Sequence, residues 1–165
     1  MGKKIKLFLV EDDILYQKNL TKKLEGLNID IQCFSSGDDC INNLESLEKP
    51  DIIVLDLHLS SEKNKIFNGL KVLKEAKYID PDIYVIILTA NDSLDTAVES
   101  IKEGAFDYIV KSETAFVRLE AKIKSVINVI ELKQTLSKSQ LKTNLSTGLI
   151  ILSILTYFII KLFFR

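Results

Sequence analysis

The stretch KLFLVEDDIL, residues 6–15, decides the fold because an apolar run leads directly into three consecutive acids. Residues 7–10 are typical of a strand buried on both faces, and Glu11, Asp12 and Asp13 follow where that strand ends. Acids in this position have two common uses: they cap the next helix, or they bind a cation. For Asp13 we favour capping of the first helix.

Strand-like and helix-like segments alternate along the chain. The strand-like runs are rich in Ile, Val and Leu without strict alternation, which predicts strands buried on both faces. Five repeats predict an α/β fold, a doubly wound five-stranded parallel sheet with helices on both faces. The predicted strands are residues 4–10, 29–34, 51–56, 82–89 and 106–110, and the predicted helices are residues 14–27, 37–47, 67–77, 93–104 and 114–136.

The C-terminal part of the chain changes character twice. Apolar residues recur at spacings of three and four up to residue 130, which predicts a helix packed on the sheet and a first domain of residues 1–130. Residues 131–144 are polar and rich in lysine, and predict an exposed helical extension or linker. Residues 145–164 are predominantly apolar and carry a single charge, Lys161, and as a helix of about 30 Å they would cross a bilayer. We expect a transmembrane helix there, with burial in an oligomer core as the alternative.

Charge and cysteine usage limit the function classes. The chain has 22 basic and 23 acidic residues, and its basic residues form no cluster with interspersed aromatic residues. Nothing in the sequence therefore indicates nucleic-acid binding. Cys33 and Cys40 lack CxxC spacing and are predicted to be packing residues in a reducing compartment. The N-terminus carries no signal-peptide pattern, and Lys133, Lys138 and Lys142 precede the apolar run. We therefore expect a single-pass protein of the inner (cytoplasmic) membrane, with its N-terminal domain in the cytoplasm.

Polar side chains follow several predicted strands at the point where each strand ends. Asp56 ends the third strand, Thr89 ends the fourth, and Lys111 follows the fifth. Ligands of parallel α/β sheets collect at this edge, so we expect these side chains beside Glu11 and Asp12. Clustered carboxylates repel one another unless a cation neutralises them, and their oxygens suit Mg²⁺. Taken singly, each residue is also compatible with a structural role.

Four segments together resemble the response regulator receiver domain of two-component signalling. The resemblance covers about residues 3–130 and implies the flavodoxin-like (βα)5 receiver fold. It also implies a signalling phosphoacceptor rather than an enzyme, with a sensor histidine kinase or phosphotransfer protein as donor and a downstream protein as partner. The segments are LVEDD, IIVLDL, VIILTA and GAFDYIVK, beginning at residues 9, 52, 85 and 104.

The same resemblance implies a role for each acid. Glu11 and Asp12 would hold Mg²⁺, Asp12 more directly, together with Asp56 and the backbone carbonyl of His58. Asp56 would accept the phosphoryl group, since a carboxylate nucleophile can form an acyl phosphate.

The remaining implied roles are binding of the phosphoryl oxygens and the conformational response to phosphorylation. Thr89 and Lys111 would bind those oxygens, and Thr89 and Tyr108 would report phosphorylation to the face formed by the fourth helix, fifth strand and fifth helix. We therefore expect a membrane-anchored single-domain response regulator, Mg²⁺-dependent, whose output is protein–protein contact.

Two departures from the family pattern leave alternatives open. Gly69 comes thirteen residues after Asp56, later than the family's glycine, and Ser112 replaces the family's proline. Both departures suit a degenerate receiver that serves as a membrane docking module. A haloacid-dehalogenase-like phosphohydrolase is also Mg²⁺-dependent, but it would need a second acid where this chain has His58.

Overall fold

The computed structural model describes residues 4–44, 49–59 and 67–163, apart from the side chains of residues 67–68, 141–142, 158–159 and 162–163. The end of the second predicted helix at residues 45–47 and the centre of the long loop at residues 60–66 lie outside the described residues. The strands are β1 (Ile5–Val10), β2 (Ile29–Phe34), β3 (Ile52–Leu55), β4 (His58–Leu59), β5 (Phe67–Asn68), β6 (Tyr84–Thr89) and β7 (Asp107–Val110), and the helices are α1 (Ile14–Leu24), α2 (Gly37–Leu44), α3 (Gly69–Ile79), α4 (Leu94–Lys102) and α5 (Ala115–Phe163).

Five of these strands form one parallel sheet in the order β2-β1-β3-β6-β7. The chain runs from β1 outward to β2 and then back across β1 to the other edge, which is the doubly wound topology. The predicted α/β fold with a five-stranded parallel sheet is confirmed. In its register Val10 pairs with Leu55, and Thr89 pairs with Val110, so the carboxyl ends of these strands meet at one edge.

The interior strands are buried along most of their length, as their apolar sequences predict. All four residues of β3 are buried, and β6 is buried from Val85 to Thr89. On α5, Leu119, Ile123 and Val126 are fully buried at spacings of four and three. The predicted apolar stripe of the last helix is therefore confirmed over this segment.

Helix α1 begins where the sequence predicts, and Asp13 is its N-cap. The Asp13 carboxylate accepts hydrogen bonds from the backbone N–H groups of Leu15 and Tyr16, at 2.9 and 3.0 Å. These bonds satisfy two of the N–H groups that a helix start leaves without helical partners. The capping role that we favoured for Asp13 is confirmed.

The long segment after Asp56 contains a strand pair that the sequence did not predict. His58 and Leu59 of β4 pair antiparallel with Asn68 and Phe67 of β5. This pair returns the chain to the end of β3, where the Gly69 N–H donates to the Leu57 carbonyl at 3.0 Å.

Helix α5 runs for 49 residues and includes residues 131–144, which are helical rather than an irregular linker. The transmembrane helix predicted at residues 145–164 is not supported. Across the described part of the chain, no helix is both long and apolar enough to span a membrane. Lys161 falls inside the predicted run, and Phe164 lies outside the described residues. The predictions of membrane anchoring depended on that helix.

Candidate functional site

Three carboxylates meet at the carboxyl edge of the sheet, where β1 and β3 end. Glu11, Asp12 and Asp56 each offer an oxygen within 4.8 Å of the others. Glu11 and Asp56 are buried, with 2% and 5% of their surfaces exposed. The Asp56 N–H donates to the Val10 carbonyl at 3.0 Å, so the sheet itself fixes this convergence. The predicted clustering of these acids is present in the structure.

Lys111 extends from the end of β7 into the acid cluster. Its ammonium lies 2.6 Å from Asp56 Oδ2 and 2.7 Å from Glu11 Oε2. Its backbone N–H donates to the Thr89 carbonyl at 2.8 Å, which anchors it to β6. Burial lowers the pKa of Lys111, but the hydrogen bonds to Asp56 and Glu11 outweigh that effect and raise it. The side chain therefore supplies a positive charge beside Asp56 at neutral pH.

The cluster retains negative charge despite this lysine. Burial raises the pKa of Glu11, and the hydrogen bond from Lys111 opposes that rise only in part. Three carboxylates and one ammonium sum formally to −2, and a divalent cation bound to carboxylate oxygens would balance that charge. The donor set of Glu11, Asp12 and Asp56 therefore fits Mg²⁺.

His58 and Thr89 form the second side of the site. The His58 N–H donates to Asp56 Oδ1 at 3.1 Å, so both Asp56 oxygens accept a hydrogen bond. The His58 ring is hydrogen-bonded through Nδ1 to Thr89 Oγ1 at 3.2 Å. Thr89 is completely buried, and its hydroxyl also accepts from the Asn91 N–H at 3.4 Å. The side chain of the chain's one histidine thus contacts Thr89, the predicted switch residue.

Tyr108 connects to Thr89 indirectly, through the backbone of the loop after β6. The Tyr108 hydroxyl donates to the Asn91 carbonyl at 2.8 Å, and the Asn91 N–H contacts Thr89. Burial is the main cause that raises the pKa of Tyr108. A displacement of the Thr89 hydroxyl would therefore reach Tyr108 through one residue.

Comparison with known proteins identifies the family and the fold. A family model described as response regulator receiver domain matches residues 7–124, well over half of the chain. The chain belongs to the response regulator receiver family. A receiver is a signalling phosphoacceptor, and this is consistent with the prediction that the chain is not an enzyme. Receiver domains typically bind Mg²⁺ through acidic residues, as the cluster here would allow.

Individual relatives agree with this assignment. The receiver is 36% identical over 110 residues to the transcriptional regulatory protein ZraR of Klebsiella oxytoca, covering 67% of this chain and 24% of that protein. It is 36% identical over 103 residues to the regulatory protein LuxO of Vibrio cholerae, covering 62% of this chain and 21% of that protein. The chain thus spans less than a quarter of the length of these curated relatives.

A solved structure shows the same fold. The signal receiver domain of a putative Luxo repressor protein from Vibrio parahaemolyticus matches with a TM-score of 0.71 at 28% identity, covering 81% of this chain and 98% of that chain. The flavodoxin-like receiver fold implied by the sequence resemblance is therefore confirmed.

Sequence reasoning missed three features of this receiver. The Tyr16 ring lies against Lys111, and the Asn91 backbone joins Thr89 to Tyr108. Tyr16 could have been suspected, because it lies three residues after the Asp13 cap, on the first turn beside the acids. The third feature is the place of Gly69 against the acceptor strand: a Cβ there would lie 2.5 Å from the Asp56 carbonyl oxygen.

Proposed function

We propose that this receiver is a phosphorylation-dependent switch that accepts a phosphoryl group on Asp56 from a histidine kinase or a phosphotransfer protein. One observation carries the proposal: a buried carboxylate at a strand end, 2.6 Å from a lysine ammonium, within a cluster of two further acids. A strand-end cap would not need that lysine or those acids. Family membership supports the same conclusion.

The chemistry requires little beyond positioning and charge neutralisation. An Asp56 oxygen attacks phosphorus, and the bond from phosphorus to the donor's histidine nitrogen breaks. The electron pair of that bond stays on the imidazole, which then takes up a proton from solvent. Lys111 is close enough to Asp56 Oδ2 to follow the negative charge onto the phosphoryl oxygens.

Mg²⁺ would be held by Glu11, Asp12 and Asp56, together with the backbone carbonyl of His58. When bound it supplies positive charge that offsets the repulsion between the carboxylates and an incoming phosphoryl group. The buried state of Glu11 and Asp56 supports this assignment, because water screens their charges poorly.

The output would be a change in the surface formed by α4, β7 and α5. Thr89 would leave His58 and bind a phosphoryl oxygen, and the Asn91 contacts would pass this movement to Tyr108. Apolar side chains are exposed on and beside α4, which suits contact with a protein partner. They are Leu94, Val98, Ile101 and Phe106. The identity of that partner and the cytoplasmic location of the domain stay predictions.

Intact-mass measurement after incubation with acetyl phosphate and Mg²⁺ tests the proposal. We expect the mass of one phosphoryl group on the wild type, and none on Asp56→Asn or on wild type with chelator. Asp12→Ala should also remain unlabelled while staying folded. Asp13→Asn is the matched control, because Asn caps a helix as well as Asp does and the residue lies outside the cluster.

Two results would contradict the assignment. Equal labelling of wild type and Asp56→Asn would show that Asp56 is not the acceptor. A folded wild type that takes no phosphoryl group from acetyl phosphate or from phosphorylated histidine donors would instead favour a degenerate receiver that docks partners constitutively.

A further inference from the structure

Tyr16 contacts the lysine of the site from the side of α1. The ring centroid lies 4.6 Å from the Lys111 Nζ, within the distance of a cation–π interaction. The Tyr16 N–H donates to the Asp13 cap at 3.0 Å, so the start of α1 holds this residue next to the acid segment. Tyr16 is partly buried, and burial raises the pKa of its hydroxyl, so the ring stays neutral.

Lys111 needs such a contact because its two partners compete for it. The ammonium sits at nearly equal distances from Asp56 and Glu11, 2.6 and 2.7 Å, at the end of a flexible four-carbon side chain. During the transfer the negative charge moves from the Asp56 carboxylate onto the phosphoryl oxygens, so the ammonium has to shift with it while Glu11 continues to attract it. A third contact that does not depend on the state of Asp56 would keep Lys111 at the acceptor.

We propose that Tyr16 is a positioning residue for Lys111, whose ring face holds the ammonium beside Asp56 while the phosphoryl group is transferred. This inference rests on the proposed phosphoacceptor function. The attraction comes from the ring face and not from the hydroxyl, so Phe should serve as well as Tyr, whereas Leu should not.

The kinetic test compares Tyr16→Leu with Tyr16→Phe. The measured quantity is the initial rate of Asp56 phosphorylation at subsaturating acetyl phosphate with Mg²⁺. We expect Tyr16→Leu to be slower by about fivefold, the order of a partly buried cation–π contact, and Tyr16→Phe to match the wild type. Tyr78→Leu is the control for loss of a tyrosine, because Tyr78 is 86% exposed on α3.

A double-mutant cycle separates positioning from a structural role. If Tyr16 acts through Lys111, Tyr16→Leu should add no further slowing in a Lys111→Ala background. A ring that merely supports α1 would slow the reaction equally in both backgrounds.

A spectroscopic signature tests the contact without any phosphorylation. The ring face should shift the NMR signals of the Lys111 ε-methylene group, which are assigned by their loss in Lys111→Arg. The shift should persist in Tyr16→Phe and disappear in Tyr16→Leu. This readout keeps the two proposals apart, because it holds even if the wild type accepts no phosphoryl group. An unchanged shift in Tyr16→Leu, equal rates of the Leu and Phe variants, or additive effects in the cycle would overturn the inference.

Discussion

Three neighbouring acids at the end of β1 have different uses because their surroundings differ. Asp13 is exposed and caps α1, whereas Glu11 is buried and bonded to Lys111. Asp12, between them, offers an oxygen to the cluster that also contains Asp56. Charge alone therefore does not assign a role to a residue in this site; burial and the partner of each oxygen do.

Replacement of Thr89 should separate phosphorylation of Asp56 from the conformational response to it. We expect Thr89→Ala to accept phosphate on Asp56 but to lose the response at Tyr108, because the alanine cannot exchange His58 for a phosphoryl oxygen. The measurement is the set of phosphorylation-induced NMR shifts around Tyr108 and Asn91. Thr89→Ser keeps the hydroxyl and should respond like the wild type. Identical shifts in the alanine variant and the wild type would show that the signal takes another route.

At the scale of elements, the β4–β5 pair explains how the chain accommodates the longer segment after Asp56. The antiparallel pairing of His58 with Asn68 returns the chain, so that Gly69 starts α3 directly beside the acceptor strand. A segment that departs from the family in length thus still places a glycine against Asp56. The close approach of the backbones explains why a glycine is needed there.

Replacement of Gly69 tests this close approach. An alanine Cβ would lie 2.5 Å from the Asp56 carbonyl oxygen and 2.7 Å from Leu57 Cα, and both are backbone atoms that cannot rotate away. We expect Gly69→Ala to lower the free energy of unfolding by about 1–3 kcal/mol and to slow phosphorylation by displacing Asp56. Urea denaturation and the acetyl phosphate assay measure the two effects. Gly26→Ala, which meets nothing within 4 Å, should change neither.

The buried face of α2 gives a prediction about thiol reactivity. Cys40 packs in the core, as predicted, and burial raises the pKa of its thiol to about 12. Cys33 is exposed at the edge strand β2, so its prediction as a packing residue was wrong. Native protein at pH 8 should therefore take one iodoacetamide group on Cys33, and unfolded protein two. Two modifications of the native protein at the same rate would show that α2 does not bury its cysteine.

The raised pKa of Cys40 also predicts how the free energy of unfolding changes with pH. The fold favours the neutral thiol, so its contribution is fully present below the ordinary thiol value of 9.0 and is lost as the pH rises toward 12. Cys40→Ala lacks this group. Its free energy of unfolding should therefore fall less steeply than that of the wild type above pH 9.

Elements with a strong local signal were predictable, and contacts between distant elements were not. The apolar runs of β1, β3 and β6 identify buried strands, and the residues after them identify the site. The β4–β5 pair has two residues on each side, too short for any periodicity to appear. The contact of Tyr16 with Lys111 joins residues far apart in sequence, and it forms because the Lys111 side chain reaches from the end of β7 across the carboxyl edge of the sheet to the acid cluster.

At the scale of the whole molecule, the site and the sheet depend on the first part of the chain. By internal packing the chain divides into two units, Met1–Val126 and Ile127–Arg165. Every residue assigned to the site precedes Ser112, and the buried stripe of α5 at Leu119, Ile123 and Val126 completes the core of the first unit.

This division predicts that the receiver folds and works without its C-terminal segment. A chain ending at residue 142 should keep its free energy of unfolding and accept phosphate on Asp56 at the rate of the full chain, because it retains all of the site and the buried stripe. A chain ending at residue 118 is the matched control. It lacks Leu119, Ile123 and Val126, and loss of each buried side chain costs about 1–5 kcal/mol, so it should not fold. Circular dichroism, urea denaturation and intact mass after acetyl phosphate give the comparison. If the chain ending at residue 142 unfolded or stayed unlabelled, the C-terminal helix would be part of the receiver core, and the division at Val126 would not describe independent units.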